Sequence, residues 1–558
     1  MLHPLALAAV ALAAEAAPTP RPAPAEVMPI TGLPAAKYVD GLCLYRYPVG
    51  TRSEECRRFC DQAFGYYYSY VWMEAARCFE TALRHDPDCP LAWLGLHRSL
   101  EKWGKTTARP NAYLALAGGV GRPNLPDRLR AAPHDYALDR AKALLPRASH
   151  REGMLITSRL QEKGMLPGVA PDERKRKAVA TLDEMLSVYP EDEEGWYARA
   201  QLAGSGESPP TAGGYAAIPF YKALLRINPL HPGANHELVH IYENVRRPAL
   251  GWEHAERYMQ SSPKIPHPFH MQAHLAMRVG KWRQTTDWSI EAVGLEKAYH
   301  RDLGVDPKDD HQYRHHLEIL TRSLVHDGRF AEAKAIRSEA ERLGWDFRPE
   351  WFRMALAEHD WAAAERLVAE FRKGDKATGA YHAALLALER GDAGRATAEA
   401  DVLRQAPVKR SDRRHELRLN EVQGRLAAAA GDPAGGLKLV RRTIDRTKDD
   451  YAHHAWAGGA YYMEAWGEAA LAAGVAAEAE EAFQEALAHD AGCVRGAVGL
   501  WALCDRIGRT DEAARYLKVA RRCWAKADAG ALDRLQADFA RKARAVAGPA
   551  AITAAGGQ

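Results

Sequence analysis

Several features are scarce in this sequence of 558 residues, and each scarcity closes off a class of explanation. Runs of β-branched residues are few, whereas Ala, Leu, Glu and Arg are abundant, so helix is favoured over sheet. An excess of one charge is missing: 76 Lys and Arg stand against 72 Asp and Glu, for a net charge of +4. The bases are interspersed with acids. Even the densest basic run, DERKRK from Asp172 to Lys177, reads as a solvated helix start, so no nucleic-acid partner is expected. No apolar run is long enough to span a bilayer. The Gly-rich pieces TAGGYAA and ALAGGVGRP open no strand–helix unit, which removes the phosphate-cradling loop and the dinucleotide fingerprint. Nothing marks a Ser/His/Asp triad.

Cysteine is also sparse. Cys43, Cys56, Cys60, Cys78 and Cys89 fall near one end, and Cys493, Cys504 and Cys523 near the other. Disulfides in an oxidising compartment and plain buried thiols both fit this distribution. The Cys56-x-x-x-Cys60 spacing lacks the two-plus-two pairing of a zinc ribbon, which speaks against a metal there. The first 16 residues read as a signal peptide: Leu5 to Ala14 are apolar and Ala14-Glu15-Ala16 offers small residues for cleavage, although no Lys or Arg precedes them. Export to a periplasmic or extracellular compartment is therefore expected. Residues 17–50 follow as a Pro-rich spacer and N-terminal segment, and PTPRPAPAEVMP within them reads as extended and unpacked.

Beyond this the chain repeats. From Arg57 to Cys89 the pattern is two amphipathic helices meeting near Ser69 and Tyr70, with small Ala75 at the crossing and Pro87 past the end. The skeleton returns as AVATLDEMLSVYP and AIPFYKALLRINP. Near the C-terminus it becomes regular: Gly474 to Gly508, Ala479 to Ala513, Phe483 to Leu517 and Ala486 to Ala520 each advance by 34 residues. Helical hairpins with this period and these small residues resemble the tetratricopeptide repeat. The resemblance implies an all-α, right-handed superhelical solenoid, since each hairpin needs a neighbour to bury its apolar face. The expected layout is a first array over 51–345, a second over 346–545, an insertion near EKWGKTTARPNAYLALAGGVGRPNLP and a disordered tail over 546–558. Tyr66, Tyr67, Tyr68, Trp72 and Trp93 read as packing between helices.

The chemistry is concentrated in NPLHPGANHELVHIYENV, Asn228 to Val245. Its HELVH matches the zincin pattern, in which two histidines hold zinc and the glutamate acts as base. A step of 34 residues, however, carries His236 onto His270 and His240 onto His274, in HPFHMQAHLAMRVGKW. Residues four apart share a helix face, and packed helices lie about 8–10 Å apart. The expectation is thus four imidazoles converging in the concave groove as ligands for zinc or another transition metal. A third first helix, DHQYRHHLEILTRSLVH, adds His315 and Glu318 as further candidates. In the hydrolase alternative, Glu237 or Glu243 would be the general base, Glu243 being better placed to hold a ring N–H.

The stretches HPGANHELVHIYENV, HPFHMQAHLAMRVGKW, YRHHLEIL and CWAKADAGALD also resemble a group of bacterial tetratricopeptide proteins marked by paired H-x-x-x-H segments. That resemblance implies the fold and the histidine pairs but no activity. The leading expectation is an exported binding protein that takes a protein or peptide partner in its groove; a zinc-dependent hydrolase is the alternative.

Overall fold

The 34-residue step appears in space as successive antiparallel helix pairs. The structure, a computed structural model, describes residues 27–106, 132–204, 214–407, 413–448, 458 and 460–548. Those residues hold 25 α-helices and no strand, so the chain is an all-α, tetratricopeptide-like solenoid. The helices that build the site are labelled here in chain order: α1 (Glu54–Tyr68), α2 (Trp72–His85), α3 (Pro90–Thr106), α4 (Pro232–Asn244), α5 (Trp252–Ser261), α6 (Pro266–Arg278), α7 (Trp282–Leu303) and α8 (Tyr313–His326). Their ends follow from the sequence. The Ser53 side chain accepts from Cys56 N–H at the start of α1, and Pro232 and Pro266 occupy first-turn positions of α4 and α6, where a missing N–H costs nothing.

Close helix approach rests on the small residues of the repeat. A Cβ added to Gly467 or Gly499 would lie 2.4 or 2.5 Å from the Phe483 ring. The turn inside each hairpin needs one residue in the left-handed region. Gly280, Gly328, Gly474 and Gly508 supply it. Three hairpins use a non-glycine there instead: Tyr70, Arg246 and His359, at φ of 60°, 61° and 59°. Each spends about 1–3 kcal/mol of backbone strain.

The unpacked spacer expected up to Pro29 stops short of Met28, which is 1% exposed. Ile30 and Thr31 donate backbone N–H groups to the Glu80 carboxylate on α2, and Leu42, Tyr45, Tyr47 and Val49 join the first core. The aromatic content of this segment outweighs the extended habit of its prolines. The proposed signal peptide, most of the expected insertion and residues 549–558 lie outside the described residues, whereas Val546, at the start of the expected tail, is buried and its carbonyl accepts from Arg506 at 2.9 Å. All eight cysteines are free thiols, seven of them buried.

A single core runs from Val293 to Val422, without a break at the expected boundary between 345 and 346. The chain also touches itself across a long sequence interval. Trp282 Nε1 donates to Asp490 at 2.7 Å, Trp524 Nε1 to the His326 carbonyl at 2.7 Å, and Asp528 N to the Gly328 carbonyl at 2.9 Å. The left-handed turns at Gly280 and Gly328 are therefore seats for C-terminal repeats. Among the described residues no helix is long and apolar enough to cross a membrane.

Candidate metal centre

The histidines sit on α4, α6 and α8, three helices of adjacent hairpins. On α4, His236 and His240 lie one turn apart with ring centroids 4.8 Å apart. On α6, His270 and His274 repeat this at 4.5 Å. The two pairs do not converge on one point. His236, His240 and His267 bring one nitrogen each to within 4.8 Å of one another, and His270, His274 and His315 do the same beside them. The reason lies in helix geometry. Equivalent residues of neighbouring repeats are separated by a full interhelix step, and Cβ vectors tilt toward the helix N-terminus. A ring one turn earlier on α6 is the one placed to close on α4. That ring is His267, 4.7 Å from His236.

His267 escaped the 34-residue register because its repeat equivalent, Gly233, carries no side chain; the run H-P-F-H-M-Q-A-H was its signal. His316 was also missed. Its ring lies 4.0 Å from His270 and 5.9 Å from His267, between the two sets. Glu318 is not drawn in: its side chain is about one-third exposed and pairs with Arg322 at 3.5 Å.

Hydrogen bonds to obligate acceptors set the tautomers of His236, His274 and His316. His236 Nδ1 donates to the Tyr68 carbonyl at 2.6 Å, so Nε2 is its free acceptor, and it faces His267 Nε2 at 2.9 Å. His274 Nδ1 donates to Glu243 at 3.0 Å, and its Nε2 faces His315 Nε2 at 3.2 Å. His316 Nδ1 donates to Glu296. His240 Nε2, His267 Nδ1 and His316 Nε2 are buried without a hydrogen-bond partner. Tetrahedral ligands at about 2.0–2.1 Å from zinc stand about 3.3 Å apart, close to the spacing of the two facing pairs. The donor set therefore fits a transition metal.

Burial disfavours the charged form of five of these rings. Burial pushes the pKa of His236, His267, His270 and His315 well below the ordinary histidine value, and neighbouring imidazoles push it further. His316 is lowered to about 3, chiefly by burial. Each set has one partly exposed member, His240 or His315, and two buried ones.

Glu243 joins the two sets. Its Oε1 accepts from His274 Nδ1 and from Arg278 at 2.6 Å, while Oε2 lies 3.8 Å from His240 Nδ1. Burial opposes its charge, but His274, His240 and Arg278 outweigh this and hold the carboxyl well below the usual range. Glu237 faces elsewhere. It accepts from Tyr70 OH at 2.8 Å and Tyr197 OH at 3.3 Å, and burial pushes its pKa up. The strained Tyr70 covers the first set, its ring 4.3 Å from His236 and 5.9 Å from His240. Behind His316, Glu296, Asp310 and His300 form a buried acidic cluster, with His300 Nε2 2.9 Å from Asp310.

No protein-family model matches the chain, and no curated protein does. Solved structures similar to it are helical. A human IFIT1 dimer with m7Gppp-AAAA is 13% identical, covering 86% of this chain and 91% of that one at a TM-score of 0.26. The P58(IPK) TPR domain is 12% identical, covering 84% and 99% at 0.22. Yeast Tom70 is 11% identical, covering 88% and 89% at 0.23.

Proposed function

We propose that this chain is a tetratricopeptide-like interaction scaffold whose histidine hollow holds transition-metal ions, one in each three-imidazole set, beside a groove that takes a protein or peptide partner. The observation that carries the reading is the pair of facing Nε2 atoms, at 2.9 and 3.2 Å, in which one ring of each pair has its tautomer set by a bond on the far side. His236 and His274 each present an Nε2 lone pair to the facing ring, and with His267 and His315 in the tautomer that also turns its Nε2 lone pair inward, a cation between them satisfies both. All-imidazole sets with no carboxylate ligand favour zinc or copper over magnesium, calcium or manganese.

Glu243 acts in this reading as the shared outer carboxylate that aims a histidine of each set. In the hydrolase alternative Glu243 is engaged by Arg278, and both phenols bond Glu237 Oε1, which leaves Glu237 Oε2 as the carboxylate oxygen that a base would use. Export, through the apolar leader at residues 5–14, would supply the metal from outside the cytosol.

The test is elemental analysis of tag-free protein, with His236→Ala and His274→Ala variants. Two equivalents in the parent and one in each variant support the reading. No retained metal after loading, or both equivalents lost with either single substitution while the fold persists, overturns it.

A further inference from the structure

A second group of metal-type donors lies outside the histidine hollow. Cys56 and Cys60, one turn apart on α1, and Cys89, immediately before α3, bring their sulfurs to within 4.8 Å of one another. All three are 0% exposed. Sequence spacing argued against a metal at Cys56-x-x-x-Cys60; the fold supplies a third thiol from the start of another helix.

The repeat provides an internal control. HDPDC, His85 to Cys89, and HDAGC, His489 to Cys493, occupy equivalent places, and both cysteines stand just ahead of a first helix. The Cys493 sulfur accepts from Gly496 N–H, and its thiol donates to Glu464 at 3.1 Å. Cys60 precedes Cys89 by the same 29 residues that separate Glu464 from Cys493, and one turn earlier the equivalent of Cys56 is Ala460. Helix capping therefore accounts for one cysteine. The fold accepts Glu and Ala where this hairpin has two further sulfurs, so packing does not require three thiols.

We propose that Cys56, Cys60 and Cys89 form a three-thiolate site for one soft, monovalent ion, copper(I). Three sulfurs at about 2.3 Å from one ion lie about 4 Å apart, and the three observed sulfurs all lie within 4.8 Å of one another. Thiolates select soft ions, and three ligands suit copper(I), whereas a structural zinc site asks for a fourth. Binding displaces thiol protons to the buffer. With no exposed sulfur, loading accompanies folding. The Cys89 ligand also sits at the N-terminus of a helix of 17 residues.

The experiment refolds the whole chain anaerobically with copper(I) and then challenges it with a chromophoric copper(I) chelator. The parent, Cys56→Ala, Cys493→Ser and a His240→Ala/His274→Ala variant are compared, with free thiols counted under denaturing conditions. Cys56→Ala installs the residue that the C-terminal repeat already carries there, so it should fold, as circular dichroism would check. One copper retained by the parent, Cys493→Ser and the histidine variant but lost from Cys56→Ala, with ultraviolet thiolate-to-copper absorption to match, supports the site. The histidine variant separates this result from the fate of the histidine sets. Equal retention in Cys56→Ala overturns the proposal, as does no chelator-resistant copper in the histidine variant. A thiol deficit showing two of the three cysteines joined in protein isolated without reductant also overturns it.

Discussion

Replacing Glu243 by Gln tests whether the histidine hollow is built to hold metal. The carboxylate receives His274 Nδ1–H at 3.0 Å and two Arg278 donors at 2.6 and 2.9 Å, and its other oxygen lies 3.8 Å from His240 Nδ1. Gln preserves one carbonyl acceptor but removes the charge and places an amide N–H₂ near donors. Losing such an outer partner costs about 10–100-fold in metal affinity, or about 1.4–2.8 kcal/mol. The loss should fall unequally. The set containing His274, in direct hydrogen-bond contact, should weaken more than the set containing His240. Metal-stripped parent and variant would be titrated with zinc or copper(II) in competition with a chelator, and the two binding steps fitted separately. A thermal melt of the metal-free proteins serves as a second channel, because Arg278 loses its charged partner at about 1–3 kcal/mol whether or not metal binds. A folded Glu243→Gln protein with both affinities at parental values would refute the reasoning, as would a loss confined to the His240 set.

Tyr70→Phe keeps the ring over His236 but leaves Glu237 with only Tyr197 at 3.3 Å; urea unfolding should show a loss of about 1–3 kcal/mol. Gly280→Ala puts a Cβ 2.5 Å from Asp490 Oδ1 at a φ of +69°, whereas Gly304→Ala, at +68°, meets nothing within 4 Å. Both should lower Tm, Gly280→Ala by clearly more, and equal losses would deny that this turn seats the C-terminal repeats. Burial pushes the Glu468 carboxyl up, but Arg495 and Lys542 outweigh it and hold it at about 2, below its ordinary 4.5. Its contribution is complete above pH 4.5 and is lost as pH falls toward 2. Urea midpoints should fall across that window, and Arg495→Met should flatten the fall.

Much of the architecture is written locally. The 34-residue return of Gly, Ala and Phe specifies hairpins because each small residue marks a helix crossing and each turn glycine a left-handed φ. Composition decides the all-α class because few β-branched runs compete. The paired H-x-x-x-H segments could be found from period alone, since one face of one helix is a local property. Tyr70, by contrast, reads in the sequence only as part of the turn between two helices. Its place over the histidines follows from the hairpin turn that it occupies in place of glycine.

What the sequence by itself determined is thus the repeat, its helices and the presence of imidazoles on adjacent first helices. Only the tertiary structure decided how they group: two sets of three, with His267 and His315 completing them, His316 between them and Glu243 serving both. It likewise decided that Cys89 joins Cys56 and Cys60, and that Glu318 stays apart with Arg322. The physical reason is that helical periodicity fixes which residues share a face. The separation and tilt between helices, which no local pattern encodes, fix which faces meet.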